Sequence, residues 1–550
     1  MSKIKIFSLG GLNENGKNMY VVEVDSDIFI FDAGLKYADD KLFGIDYILP
    51  SYEYIEKNLE RVKGIFITHG HEEHMGAVPD ILRDFPNIKV YASRFSLKIL
   101  KEELKADEVK ADENNLIELK PHKKISFGKN SIFPISVTHS VPEAFGYALN
   151  TVDGTIVYTG NFMFDPTMVD NYKTDIGKLA YIGKKGVLCL LSESVYAEKP
   201  GFTSPKHRVD SVFSELVNKN DGRILVNIMQ ADIYRIQKLF DVLKDKDRKV
   251  VILGRRLEAI VKNAINKGYI DFDIKRISSI SHTKDKGVIV LISDEREKPF
   301  SNMLRITSGY DKFVRLSEKD TVCFASPIYD GLEKRAADLF DEISRLGSNL
   351  VILESKKYLE NHASSEDLLM MLDLMQPKYY FPVIGEFRHQ LANANLASKV
   401  GLNKENILLK ENGFIAEFEN GELKETFDKV KTEDLLIDGK TSDDIGGLVL
   451  RDRESLGDNG IVMVSTTISR KTKKVLAGPE VITKGFIYVK DNQDLIKEIE
   501  DITLEVVKDN TKNNYTDFNS IKNDVRTKLS KHLYRKTQCS PMILVVVQEI

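Results

Sequence analysis

The sequence predicts an α/β protein with three parts: a strand-rich α+β sandwich, a doubly wound parallel sheet after it, and a small α/β module at the carboxyl end. Three observations carry this reading. Short β-branched and aromatic runs crowd residues 1–205, strand and helix patterns alternate from about 206 to 365, and a long amphipathic segment precedes an apolar strand beyond residue 460.

In chain order, Gly64-Ile65-Phe66-Ile67 reads as a buried strand and residues 95–104 as a helix. Gly146-Tyr147-Ala148-Leu149 and Thr155-Ile156-Val157-Tyr158 form a hairpin across Asp153-Gly154. The alternating region places strands at 223–229, 249–254, 287–293, 320–326 and 350–354, with helices starting at Asp232, Leu257 and Glu333. Polar residues 452–459 read as a linker. The tail combines an amphipathic helix at 495–507 with a strand at 542–547.

A chain of 550 residues is too long for one core and implies about three domains. Hydrophobic content of 42% with 29% charged residues is that of a soluble globular protein, and no apolar run approaches the ~20 residues of a membrane span. With no signal-peptide pattern, a cytoplasmic protein is expected. Cys189, Cys323 and Cys539 lack disulfide or zinc-knuckle spacing and read as buried thiols. A net charge of −4 gives no global attraction to polyanions, so any contact with one must come from local clusters such as Arg255-Arg256, Arg451 with Arg453, or Arg470-Lys471 with Lys473-Lys474. Such a cluster is more often a solvated face than a phosphate site.

The chemistry concentrates in Thr68-His69-Gly70-His71-Glu72-Glu73-His74-Met75-Gly76, on the loop leaving a buried strand. Imidazoles and a carboxylate two and three residues apart on a turning backbone suit Zn²⁺ or Mn²⁺.

His-x-His-x-Asp-His is the signature of the metallo-β-lactamase superfamily, which the chain resembles with Glu73 in the Asp position. His139 in Ser136-Val137-Thr138-His139-Ser140 and Thr159-Gly160-Asn161-Phe162 line up with further motifs of that superfamily. Gly10-Gly11, Gly16-Lys17-Asn18-Met19-Tyr20, Asp32-Ala33-Gly34-Leu35-Lys36, Gly44-Ile45-Asp46, Ala325-Ser326-Pro327-Ile328 and Leu450-Arg451-Asp452-Arg453 extend the likeness over almost the whole chain. On these residues the chain resembles the ribonuclease J family, β-CASP members of the superfamily. Pro382-Val383-Ile384-Gly385-Glu386 makes it most similar to the second, degenerate paralogue of bacteria that carry two.

The resemblance implies a metallo-β-lactamase αββα sandwich over residues 1–205 and 366–450, an inserted β-CASP domain over 206–365, and a dimerising C-terminal domain over 460–550. His69, His71 and His139 would hold a first metal and serve catalysis with His362. Glu73 and His74 would hold a second, together with a histidine replaced here by Ile384. Asn161 stands where the family has a bridging Asp. One zinc is therefore expected, with manganese as an alternative and the second site in deficit.

Glu193 would orient a metal-bound histidine; its alternative is a polar strand end. Asn361-His362-Ala363-Ser364-Ser365 resembles a phosphate-binding loop, led in by Tyr358, Leu359 and Glu360, with His362 on the scissile phosphate and Ser364 and Ser365 binding backbone phosphate. His362 as a solvated loop histidine is the alternative. Asp232 and Tyr234 fall near a second phosphate contact, and acidic Ser293-Asp294-Glu295-Arg296-Glu297 would weaken RNA binding. Gly44, Asp46 and Asp444 match a structural calcium site, or are exposed turn residues.

The function implied is 5′–3′ exoribonuclease activity of low intrinsic strength, with internal cutting, in rRNA maturation and mRNA decay. The partners implied are RNA and a second subunit, in a homodimer, in a hetero-oligomer with an active ribonuclease J, or within an RNA degradation complex. The rival is a non-catalytic partner subunit, favoured by Asn161 and Ile384 and opposed by the complete histidine trio. A small-molecule hydrolase is disfavoured by the inserted domain and the tail.

Overall fold

The computed structural model describes residues 2–38, 42, 44–294, 300–326, 328, 332–424, 426–439, 447–487, 492–512 and 517–550. They form two compact units, Met1–Ala38 with Asp46–Leu436, and Asp39–Ile45 with Ile437–Ile550.

In the first unit two sheets face each other. One has eight strands, ordered Glu422–Lys424, Ala416–Glu419, Lys3–Gly10, Met19–Val24, Asp27–Phe31, Val62–Phe66, Val90–Ser93 and Leu116–Leu119. The other has six, ordered Tyr379–Pro382, Val187–Ser192, Gly154–Tyr158, Phe145–Thr151, Asn130–Ser136 and Ile125–Phe127. Side chains alternate across each strand, so Ile4, Ile6, Tyr20, Val22 and Phe31 meet Tyr147, Leu149, Tyr158, Leu191 and Phe381 between the sheets. The outward set, including Ala148, Val157, Leu190 and Tyr380, packs under the helices Ile176–Lys185, Ser365–Met375 and Phe387–Lys399. The helix Arg94–Ala106 covers strands Val90–Ser93 and Leu116–Leu119 of the first sheet. The result is an αββα sandwich.

Between the strands Val187–Ser192 and Tyr379–Pro382 the chain builds a separate sheet of six strands, ordered Ile277–Ser278, Val250–Leu253, Ile289–Ile292, Ile224–Asn227, Thr321–Phe324 and Asn349–Ile352. Every pairing in it is parallel. Its central strands are apolar at nearly every position because helices cover both faces. Asp232 starts the crossover helix Ile233–Leu243 by accepting the Arg235 N–H at 2.9 Å.

The second unit has a three-stranded sheet with Ile461–Ile468 between Val475–Lys484 and Met542–Glu549. The helices Gln493–Asn510 and Phe518–Thr537 cover one face with Ile499, Val506, Val525 and Leu529. On the other face Met463 stands in register between Ile482 and Leu544, both exposed.

Two expectations need correction. Residues 452–459 belong to the helix Gly447–Asn459, because Arg451, Arg453, Glu454 and Leu456 are strong helix formers whose polarity suits an exposed helix. The three cysteines are not all buried, since Cys539 is half-exposed.

Candidate metal centre

The histidine loop leaves the carboxyl end of the strand Val62–Phe66, and Asp32 anchors it. The Asp32 carboxylate accepts the Thr68 N–H at 2.7 Å, the Thr68 hydroxyl at 3.0 Å and the Tyr158 hydroxyl at 2.7 Å. It also lies 2.7 Å from His74 Nδ1. Gly34 permits the approach of the loop, for a Cβ there would stand 1.7 Å from the Glu73 carbonyl oxygen. That carbonyl accepts both the backbone N–H and the side-chain amide of Asn18, at 3.1 and 3.0 Å.

His69, His71 and His139 are buried, and their candidate ligand atoms all lie within 4.8 Å of one another. His139 donates from Nδ1 to the Asn361 carbonyl at 2.8 Å, which leaves its Nε2 lone pair 3.3 Å from His71 Nδ1. Thr68 donates its hydroxyl to Asp32 and so accepts from His69 Nδ1, 2.9 Å away. His69 Nε2 is then a buried lone pair with no partner among the described residues. Burial, reinforced by neighbouring imidazoles, holds His69 and His139 well below the usual histidine range. Neutral imidazoles with lone pairs converging on one point fit a zinc ion.

His69, Glu73 and His74 form a second group with atoms within the same 4.8 Å. Burial opposes ionisation of Glu73, but its electrostatic interaction and hydrogen bond with His71, and then its interaction with His74, outweigh it and hold the carboxyl down at about 2. His74 spends Nδ1–H on Asp32, leaving Nε2 for any ligand. The Asn161 amide nitrogen lies 3.0 Å from that Nε2 and donates to it. Ile384 contributes no ligand atom: its side chain is in the sandwich core, and its N–H donates to the Tyr20 hydroxyl at 3.1 Å. These residues fit one ion and do not fit an anion-bridged pair.

Glu193 does not orient a histidine of either group. It accepts His362 Nδ1–H at 2.8 Å and the N–H groups of Phe162 and Ala363 at 2.6 and 3.2 Å. Burial pulls the His362 pKa down, but Glu193 outweighs it and the net shift is upward. The ring lies 5.6 Å from that of His139 and 5.3 Å from that of Tyr196.

The rest of the loop is tied inward. Ser364 and Asp367 make a reciprocal capping box, the Ser365 hydroxyl accepts the Gly201 N–H at 3.2 Å, and the Leu359 carbonyl accepts from Arg235 at 3.4 Å. Tyr196 donates to Glu360 at 3.4 Å, and Lys357 sits 5.2 Å from the Tyr358 ring. Asp232 is buried as a helix cap, and Tyr234 packs on His207 and Tyr172 with ring centroids 5.4 and 6.1 Å away. Asp294 accepts the N–H groups of Phe300 and Asn302 at 2.7 and 3.0 Å, which ties its carboxylate to the start of the helix Ser301–Thr307; residues 295–297 lie outside the described residues. So does Asp444 of the calcium set. At Gly44 any side chain would meet the Arg453 guanidinium, and Asp46 is half-buried.

The metallo-beta-lactamase superfamily model matches residues 12–173, and that of the ribonuclease J beta-CASP domain matches 221–343. The Zn-dependent metallo-hydrolase RNA specificity domain matches 353–409, and the ribonuclease J C-terminal domain 448–550. Ribonuclease J2 of Bacillus subtilis (strain 168) is 34% identical over 552 residues, covering 100% of this chain and 99% of its own length. The chain belongs to the ribonuclease J family. Ribonuclease J 2 of Staphylococcus epidermidis and of Staphylococcus aureus (strain NCTC 8325) are each 34% identical over 553 residues, covering 100% of this chain and 98% of theirs. A crystal structure of a protein of unknown function from Enterococcus faecalis V583 shares the fold, with a TM-score of 0.52 at 17% identity, covering 76% of this chain and 100% of that one.

Within this ribonuclease J chain, the anchoring task of Asp32 went unread beyond its motif. So did the Asn227 amide, Gln230 Oε1 and the Ser293 hydroxyl, which are buried without partners among the described residues at the carboxyl side of the parallel strands, while Gln230 Nε2 donates to Glu72 at 3.3 Å. A polar residue closing an apolar strand run was the available signal, because open parallel sheets bind ligands at those ends. Among the described residues no helix is long and apolar enough to cross a membrane.

Proposed function

We propose that the chain is a cytoplasmic, metal-dependent ribonuclease that shortens RNA from its 5′ end and also cuts internally, with low intrinsic activity, in rRNA maturation and mRNA decay. Its domains are taken as 1–205 with 366–450, 206–365, and 460–550. The observation that carries this is the trio His69, His71 and His139, with the buried lone pair of His69 Nε2 left without a partner, in a chain of the ribonuclease J family. A zinc or manganese ion held there supplies Lewis acidity toward water and phosphate oxygens.

The protein's own groups do the remaining work. Asp32 and Thr68 fix the tautomers of His74 and His69, and the Asn361 carbonyl fixes that of His139. Glu193 beside His362 shifts it toward the protonated form at the loop where a scissile phosphate is expected, and in that form it offers an N–H to a non-bridging oxygen. Tyr358, Leu359, Glu360, Asn361, His362, Ser364 and Ser365, with Asp232 and Tyr234, stand as the substrate-binding set. Calcium at Gly44, Asp46 and Asp444 is the remaining cofactor reading.

The amide of Asn161 on His74 Nε2 favours a second reading, a subunit that assembles with an active ribonuclease J and contributes little chemistry. The open sheet face around Met463, Ile482 and Leu544 supports a dimer or hetero-oligomer. The deciding assay supplies 5′-monophosphorylated RNA with zinc or manganese. Release of mononucleotides that His69→Ala abolishes is expected, and product formation unchanged in His69→Ala would assign the activity to a contaminant and leave the partner role.

A further inference from the structure

The six-stranded face of the sandwich carries a groove of about 330 Å³ away from the histidines. Its floor is a polar ladder, in which Thr155 donates to Asn150 at 3.1 Å and the Asn150 amide reaches the Ser131 carbonyl at 3.4 Å. One wall holds Phe133 and the other Tyr181, which is 51% exposed. Lys124, Lys178 and Lys185 rim it, and no carboxylate lines it. Among the described residues none of these lysines has an ion-pair partner; Lys178 and Lys185 instead stand 5.4 and 4.7 Å from the Tyr181 ring centroid.

With a net charge of −4 the chain has no global attraction to a polyanion, so a local cluster must supply it. Other basic clusters are partly spent: Arg256 faces Asp107 at 3.7 Å and Arg453 pairs with Asp438 at 2.7 Å. The groove lies at the far end of the strands that lead to the site. Ser131 is five residues before Ser136, a span of about 17 Å at ~3.3 Å per residue, on the strand from which the chain continues to His139. A substrate strand could therefore occupy both places at once.

We propose that this groove is a second RNA-binding surface, a track for the phosphate backbone of single-stranded RNA with Tyr181 as a stacking platform for a base. It rests on the ribonuclease reading above. Separated lysines match phosphates along a strand, and an exposed aromatic ring among them suits unpaired bases. RNA long enough to span groove and site is held by both, and RNA of a few nucleotides by the site alone.

The test uses the full-length metal-loaded chain and Lys124→Ser/Lys178→Gln/Lys185→Ser, with Tyr181→Ala and Tyr181→Phe as companions. Circular dichroism verifies folding. Binding of a 5′-monophosphorylated 20-mer oligouridylate and of a 4-mer is measured across salt concentrations. The triple lysine variant should bind the 20-mer about tenfold or more weakly, with a log–log salt slope shallower by about 2, because each phosphate contact on a single strand contributes about 0.7. Its 4-mer hydrolysis should be unchanged. Tyr181→Ala should lose several-fold in affinity for the 20-mer and Tyr181→Phe should retain it. Equal 20-mer affinity and salt slope in parent and variant would overturn the groove while leaving the nuclease reading intact. A parent that neither binds nor cuts either RNA would instead defeat the nuclease reading. Unchanged RNA binding with lysine-dependent capture of poly-glutamate would assign the groove to an acidic protein and overturn the proposal.

Discussion

Asn161 donates to the His74 nitrogen that an ion would otherwise need, and being neutral it cannot offset two divalent cations. At ~4 Å and an effective dielectric of ~20 such a pair repels by on the order of 15 kcal/mol, so an amide in place of an anion weighs more than the extra methylene of Glu73. Asp32 is the opposite case, a buried carboxylate on which Thr68, His74 and Tyr158 all depend. Asp32→Ala should cost about 3 kcal/mol in urea unfolding and weaken zinc binding together, because a buried network then loses its acceptor. A stability loss without an affinity loss would show that Asp32 does not orient the ligands. Asp165 gives a pH signature. Burial opposes its ionisation, yet hydrogen bonds from Thr167, then Arg208 and Ser204, hold the carboxyl at about 2 against its ordinary 3.8. The unfolded chain binds more protons between those values, so this stabilisation is complete above 3.8 and disappears as pH falls towards about 2. Asp165→Asn should flatten the fall of melting temperature over that window, and an unaltered slope would count against it.

At the scale of elements, the site depends on how tightly its loops are stacked. Gly34→Ala would drive a Cβ into the Glu73 carbonyl at 1.7 Å, so the loop bearing the histidines must shift. We expect a loss of several kcal/mol and of zinc affinity, measured by denaturant titration and calorimetry; unchanged affinity would mean the loop relaxes freely. This stacking also explains what was legible beforehand. The spacing of His69, His71 and His74 sits on one loop and could be read directly, as could the alternation that forecasts the parallel insert. The bond from Glu193 to His362 joins residues 169 positions apart, and no local pattern announces it. The helix Gly447–Asn459 was hidden by polarity that suits a linker equally well, whereas Phe518–Thr537 had a readable signal in Ile521, Val525, Leu529 and Leu533 at four-residue spacing. Ile384 shows a limit of another kind. Its loss of imidazole is plain in the sequence, but its backbone at φ 56°, where a β-branched residue is strained and histidine is better tolerated, appears only in three dimensions.

Across the whole molecule, the histidine cluster and the open face of the tail sheet belong to different units, so each can be altered alone. Ile482→Lys with Leu544→Lys places charge on the open face of the tail sheet and leaves the buried helix-covered face untouched. Light scattering should then report monomer with zinc content unchanged, and an oligomer of unchanged size would move the interface elsewhere. The one-ion centre is the claim on which the weakened-nuclease reading stands. Glu73→Asp, Asn161→Asp and Ile384→His together should restore the bridge and the missing imidazole, and 5′-exonuclease activity should rise more than about tenfold, or ~1.4 kcal/mol of transition-state stabilisation. The most direct measurement is elemental analysis of the two purified chains after dialysis against buffer free of metal. One tightly held transition metal per parent chain and two per triple variant is the predicted result; two per parent chain would contradict it.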